Sequence, residues 1–278
     1  MRVLGIAAPE TSGWLAITEP EAAPLPPLRV LLAEDSLVNQ KVAIAVLSRL
    51  GHTTVVAHHG KEALAILASQ EFDVVLMDVQ MPEMDGFEAT AAIRAAEQST
   101  GKHQPIVAMT AHAMAGDRQR CLDAGMDAYV AKPFQRAPLL QAIATAIGLQ
   151  RSKGEESPPS ETLSRVVDWS AALAHVMDDQ ELLKDLSQTC IDETGKILSL
   201  LPAVIETGNA RETRRLAHTM KSAMGLFHAV SAKQCSQELE DQAATGDLAS
   251  APKLFERFKA EVDRVIPILQ RFVDTGEM

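Results

Sequence analysis

From Arg29 onward, short apolar runs alternate with longer stretches whose apolar residues recur at helical spacing. Val30-Leu-Leu-Ala33 and the segments 53–57, 73–77, 105–109 and 128–131 have the length and continuous hydrophobicity of strands buried on both faces. Residues near 37–50, 61–69, 87–97, 113–124 and 137–147 carry the 3.6-residue period instead, and predict a helix after each strand. Five strand-helix units of this kind predict a parallel sheet covered on both faces. Its ligand site is expected beyond the carboxyl ends of the strands, where the strand order reverses.

The pattern changes past residue 150. Gln150-Arg-Ser-Lys-Gly-Glu-Glu-Ser-Pro-Pro-Ser-Glu161 is polar and carries residues that break both helix and strand. Beyond Val167 strand signals vanish, and helical periodicity runs near 179–206, 210–228, 231–244 and 251–272. Thr207-Gly-Asn209 and Thr245-Gly-Asp247 each supply a terminating glycine followed by an N-capping residue. An antiparallel four-helix bundle with short connections is predicted. At the other end, Glu19-Pro-Glu-Ala-Ala-Pro-Leu-Pro-Pro-Leu28 holds four prolines and reads as an extended tether. The expected division is a leader or linker over 1–27, an α/β domain over 28–148, a flexible linker over 149–166, and an all-α domain over 167–278.

Composition narrows the function classes. A length of 278 residues suits two domains, each with its own core. The net charge of -11, with no basic stripe interleaved with aromatics, argues against direct nucleic-acid binding. Cys121, Cys190 and Cys235 form no CxxC pair, so neither a disulfide framework nor a zinc site is expected, and Cys190 and Cys235 read as core. The apolar run of residues 3–8 is short for a signal peptide, and no stretch approaches the roughly 20 apolar residues of a membrane helix. The cytoplasm is the expected compartment.

Candidate chemistry lies at the strand ends. Glu34 and Asp35 follow the first strand and Asp78 follows the third, so in a sheet that sets these strands side by side three carboxylates converge. Hard oxygen ligands in such a cluster suit Mg2+, which offsets charge on a transferring phosphoryl group. These motifs, with Thr110 ending the fourth strand and Tyr129-Val-Ala-Lys-Pro-Phe134 the fifth, resemble the receiver domain of bacterial response regulators. The resemblance implies a flavodoxin-like doubly wound (βα)5 fold with Asp78 as phosphoacceptor. It implies that Glu34, Asp35, Asp78 and the backbone carbonyl of Gln80 hold Mg2+, and that Thr110 and Lys132 contact the phosphoryl oxygens. It also implies Thr110 and Tyr129 as the switch pair, a cis bond before Pro133, and a tuning of phosphoryl lifetime by Gln80 and His112.

The helical half offers a second acceptor. On the helix near 210–228, Leu216, Met220, Ala223 and Phe227 fall within about 60° of one another and form the core face. His218, Lys221, Ser222 and Gly225 lie on the opposite side, where solvent exposure is expected. Ala217-His-Thr-Met-Lys-Ser-Ala-Met-Gly225 resembles the histidine-containing phosphotransfer (HPt) domain, with Cys235-Ser-Gln-Glu-Leu-Glu240 fitting its following helix. That resemblance implies a four-helix bundle with a further N-terminal helix and His218 as phosphoacceptor. Lys221 then offers positive charge to the phosphoryl group, while the small residues Ser222 and Gly225 leave room for a partner domain. His175 and His228 lack such a context.

Together the two halves resemble the C-terminal part of hybrid sensor histidine kinases, and imply a two-component phosphorelay protein. An upstream histidine kinase and a downstream response regulator receiver are the implied partners. The chain shows no glycine-rich nucleotide lid, so His/Asp phosphotransfer dependent on Mg2+ is expected without an ATP-binding kinase domain. A linker of about 18 residues, if it can span the two sites, gives an effective concentration in the millimolar range, which makes transfer in cis a hypothesis to test. The alternative is a phosphorylation-dependent switch whose helical domain only docks or dimerises. A metal-dependent phosphatase lacks a second nucleophile at the acidic pocket. The proline-rich leader fits a free-standing relay or a piece of a longer protein.

Overall fold

The computed structural model describes residues 25–110, 115–133, 135–149 and 166–278, with residues 115–117 described in their backbone alone. Expectations for residues 1–24, His112, Phe134 and most of the linker lie outside these residues.

The strands are β1 (Arg29–Ala33), β2 (Thr53–Ala57), β3 (Val74–Asp78), β4 (Ile106–Thr110) and β5 (Ala128–Ala131). All neighbouring pairs are parallel, in the order β2-β1-β3-β4-β5. The intervening helices are α1 (Leu37–Arg49), α2 (Gly60–Leu67), α3 (Gly86–Thr100), α4 (Ala115–Asp123) and α5 (Arg136–Ala146). Alternation along each strand divides the core between the two faces. Val30, Leu32, Val74, Leu76, Val107 and Met109 pack with α1 and α5, while Leu31, Ala33, Val75, Met77, Ile106 and Ala108 pack with α2, α3 and α4. Helix α3 outruns its expected span at both ends. Asp85 and Glu88 form a capping box at its start, and Gly101 closes it at φ 68°.

Strand register places the chemistry. Ala33 pairs with Met77, which brings Glu34 beside Asp78 at the carboxyl edge. Thr110 pairs with Ala131, so Lys132 emerges next to the same edge, and the Lys132-Pro133 bond is cis as expected.

In the second half a short helix α6 (Trp169–His175) precedes α7 (Gln180–Glu206), α8 (Ala210–Leu226), α9 (Val230–Ala244) and α10 (Ala251–Thr275). The four long helices close a bundle in which α7 packs on α8 and α10, and α9 on α8 and α10. Asn209 caps α8 as expected, its side chain accepting from the Glu212 amide. Asp247 does not cap α10. It accepts instead from the Ala249 amide in an intervening turn, and Pro252 stands in the first turn of α10, where its missing N–H has no helical partner to lose. Trp169 packs on Phe272 and edge-on against Phe227, which fastens α6 to the end of the bundle.

The halves meet along α1. Its apolar cluster continues without a break into the bundle core, and α1 packs on α7 and α8. Polar contacts frame the seam. Lys41 Nζ reaches Asp185 at 2.6 Å and Thr189 Oγ1 at 2.8 Å. Arg49 pairs with Asp179 and donates to the carbonyls of Val176 and Met177. Glu193 accepts from Ser36 Oγ and the Leu37 amide, each at 3.2 Å, at the start of α1. Exposed ion pairs of this kind contribute about 0.2–1 kcal/mol each, so the continuous apolar seam holds the halves together more strongly than its polar frame.

Candidate active site

The acidic loop after β1 and the end of β3 converge as expected. Glu34, Asp35 and Asp78 each offer a carboxylate oxygen, all within 4.8 Å of one another. Asp78 is fully buried and Glu34 nearly so. Lys132 Nζ lies 2.6 Å from Asp78 Oδ2 and 2.5 Å from Glu34 Oε2, as ion pairs without aligned hydrogen bonds. Asp78 Oδ1 accepts from the Gln80 amide, while Glu34 Oε1 accepts from the Ser36 amide and Asn39 Nδ2. Asp35 turns the other way, to Arg215 of α8, Oδ2 to Nη1 at 2.7 Å.

Burial dominates the electrostatics of this pocket. It pushes the Asp78 carboxyl well above its ordinary pKa, with the neighbouring Glu34 adding to the effect and Lys132 opposing it. Asp35 rises to about 6 from burial and the Glu34 charge, against the pull of Arg215 and Lys132. Burial also works against the Lys132 ammonium, yet the Asp78 and Glu34 carboxylates outweigh it and raise its pKa. Three crowded, largely buried carboxylates, two of which share a single lysine, are a fit donor set for a hard divalent cation. Glu34, Asp35 and Asp78 are the side chains whose oxygens could hold such a cation.

The other expected residues stand around this pocket. Thr110 is buried at the end of β4. Tyr129 on β5 is half-buried, with the Arg118 guanidinium 5.4 Å above its ring. Gln80 directs its side-chain amide away from the carboxylates, donating from Nε2 to Glu240 Oε1 of α9 at 2.9 Å.

The helical candidates correct one expectation. His218, Lys221, Ser222 and Gly225 do lie opposite the core stripe of α8, but they are buried rather than exposed, with His218 only 4% accessible. A helical wheel registers one helix, and here the opposite face is covered by α9 and by the docked α/β half. An ideal Cβ on Gly225 would stand 3.8 Å from Pro133 Cδ across the boundary, an ordinary contact that leaves little further room.

Glu240 is the residue that sequence reasoning missed. Its Oε1 lies 3.1 Å from His218 Nδ1 and its Oε2 lies 2.5 Å from Lys221 Nζ. Its only advance signal was an acidic side chain one helix on, in the segment following His-x-x-Lys. Burial pushes the His218 pKa down to about 4, against the attraction of Glu240. Burial also opposes the Glu240 charge, but His218 and Lys221 overcome this and hold the carboxyl far below its usual range. Lys221 is itself lowered by burial against the Glu240 pull. The consistent state at neutral pH is a carboxylate between an ammonium and a neutral imidazole that donates from Nδ1. Among the described residues, His218 Nε2 is buried without a hydrogen-bond partner, and so is Ser222 Oγ one turn away.

Residues 30–144 match the response regulator receiver domain family, and residues 181–266 match the Hpt domain family. Hybrid signal transduction histidine kinase I of Dictyostelium discoideum is 43% identical over 44% of this chain and 7% of that protein. Histidine kinase 1 of Arabidopsis thaliana is 35% identical over 49% of this chain and 14% of that protein. The chain thus spans a small part of the curated relatives it matches. The receiver domain of a sensor histidine kinase from Pseudomonas aeruginosa, solved with a magnesium ion coordinated in its active-site cleft, is 43% identical. That alignment covers 44% of this chain and 99% of that one, with a TM-score of 0.40. Among the described residues no helix is long and apolar enough to cross a membrane. Residues 30–144 are a response regulator receiver domain and residues 181–266 an Hpt domain, which together make this chain a two-component phosphorelay protein.

Proposed function

We propose that this chain accepts a phosphoryl group on Asp78 and passes it within the same chain to His218. The observation that carries this reading is a hydrogen-bonded path across the domain boundary, half-buried at Gln80 and buried at His218. Asp78 accepts from the Gln80 amide, the Gln80 side chain donates to Glu240, and Glu240 holds His218. In the step itself the Nε2 lone pair of His218 attacks phosphorus, the P–N bond forms, and the bond to the Asp78 carboxylate oxygen breaks. Asp78 departs as a carboxylate, which Lys132 stabilises. The proton on His218 Nδ1 stays in place, and Glu240 offsets the positive charge that the ring gains. Positioning and charge compensation supply most of the rate, because phosphoryl transfer leaves little covalent work to protein groups.

Glu34, Asp35, Asp78 and the Gln80 carbonyl are assigned to Mg2+, which neutralises phosphoryl charge when bound. Thr110 and Lys132 are assigned to the phosphoryl oxygens, Thr110 with Tyr129 to the switch, and Lys221 to phosphoryl charge. Ser222 and Gly225 are assigned to the docking surface. The working domain limits are 28–148 and 167–278. Phosphate arrives from a histidine kinase and leaves to another receiver domain, in the cytoplasm. The test is transfer of labelled phosphate from a phosphorylated kinase to the full chain, with Asp78→Asn and His218→Gln in parallel. Acid-stable label is expected to accumulate in His218→Gln and no label in Asp78→Asn. Alkali-stable label appearing in Asp78→Asn at the normal rate would show that His218 is charged without Asp78, and would reject the proposed order.

A further inference from the structure

Among the described residues, the ion-pair partner of Asp35 is Arg215, which belongs to the other domain. The remaining two carboxylates of the pocket share Lys132, a residue of their own domain, whether or not the helical domain is docked. Docking therefore adds one cation paired directly to a pocket carboxylate, while the Glu193 carboxylate that arrives with it is turned to Ser36 and the Leu37 amide. Its placement is built rather than casual: Arg215 Nε and Nη2 are both held by the Glu212 carboxylate, at 2.9 and 2.7 Å, which leaves Nη1 directed at Asp35. The Asp35 side chain is 9% accessible and that of Arg215 23%, so the pair is largely shielded from solvent.

We propose that Arg215 and a divalent cation are alternative counter-ions of Asp35, so that docking of the helical domain and metal binding at the acidic pocket weaken each other. The inference rests on the metal reading above. A guanidinium fixed against one of three clustered carboxylates repels a second cation sharing that carboxylate, and the repulsion is strong where water is scarce. Reciprocity then requires that the metal loosen docking by the same factor by which docking loosens the metal. A metal-loaded, unphosphorylated receiver opens, and its pocket and His218 become reachable by outside proteins. Phosphorylation of Asp78 replaces one carboxylate charge with a phosphoryl group of about two, a net gain of about one negative charge at the pocket, which favours holding both cations and draws Arg215 back. The order of charge states thus favours the open form before phosphorylation and the closed form after it.

The experiment titrates MgCl2 into the full chain by calorimetry at fixed ionic strength, with Arg215→Ala, Arg215→Lys and Arg211→Ala beside the parent chain. Arg211 on the same helix is 70% exposed and faces Glu88 of α3 at 3.7 Å, a long cross-domain pair outside the carboxylate cluster, so its removal controls both for net charge and for the loss of a weak docking contact. Arg215→Ala is expected to bind Mg2+ roughly fivefold tighter or more, with the other two near the parent chain. Small-angle scattering of the parent chain should report a larger radius of gyration at saturating Mg2+. Arg215→Gln carries the same comparison if Arg215→Ala fails to fold. Equal or weaker Mg2+ binding once Arg215 is removed overturns the antagonism. Absence of Mg2+ binding in every variant, the parent included, overturns the metal reading and this inference with it.

Discussion

Gln80 of the receiver domain donates its side-chain amide to Glu240 of the Hpt domain at 2.9 Å, so the residue two places after Asp78 touches the carboxylate that orients His218. The sequence distance between them is 160 residues, and the contact exists only in the docked form. Replacing Glu240 with Ala removes a charge-assisted hydrogen bond and leaves Lys221 buried without its carboxylate. Transfer onto His218 is expected to fall roughly 10-fold to 100-fold, the equivalent of 1.5–3 kcal/mol. Glu240→Gln keeps an oxygen for Nδ1 and should fall less. Single-turnover transfer measured in both variants checks this, and equal rates in Glu240→Ala and the parent chain would falsify the orienting role.

Acid should act on the folded chain through His218. Its folded pKa of about 4 lies below the ordinary 6.5, so the native state binds fewer protons than the unfolded chain between these values. Stability linked to this group is fully present above pH 6.5 and is lost as pH falls toward 4, on the order of 3 kcal/mol in all. Nitrogen-15 shifts of the imidazole should report a neutral ring with its proton on Nδ1 at pH 6. A titration midpoint near 6.5 would mean that the ring is not buried as described.

Loosening the seam without touching either acceptor should uncover His218. Arg49→Glu places like charge against Asp179 and removes two donations to the carbonyls of Val176 and Met177. The rate at which diethylpyrocarbonate modifies His218 is expected to rise several-fold, together with a rise on adding salt to the parent chain. An unchanged rate in Arg49→Glu would place the strength of docking wholly in the apolar seam.

Gly86 matters through space rather than through its dihedral angles. A Cβ at this position would sit 2.2 Å from the Asp78 carbonyl oxygen, and backbone cannot swing aside as a long side chain can. Gly86→Ala should destabilise the receiver by roughly 1–3 kcal/mol and displace Asp78 from Lys132. Thermal melts and phosphate uptake should fall together; a melt equal to that of the parent chain would contradict the tight approach.

The acidic pocket was legible in advance because its parts are local: each carboxylate ends a strand, and strand order plus register bring Glu34, Asp35, Asp78, Thr110 and Lys132 to one edge. The long helices were legible from their period. Glu240 was not, because its partner lies on another helix and no spacing rule relates the two. The burial of His218 escaped for a related reason: α8 presents an acceptable polar face, and only α9 together with the neighbouring domain makes that face interior. Lys41, Arg49, Asp185 and Glu193 carry no sequence signal of their place in the seam, since helix patterning does not distinguish a solvated charge from one awaiting a partner.

Helix α1 begins one residue after Ser36, itself next to the Glu34 and Asp35 carboxylates, and ends at Arg49 on the far side of the seam. Thirteen residues of helix make a rod of about 20 Å that bends little. A protein that grips the outer face of this rod also holds its acidic end at a fixed distance and angle. The packing of the two halves and the placing of the acidic loop are therefore the work of one lever, and substitutions along α1 that shift its seat on α7 will also shift the Glu34 and Asp35 carboxylates.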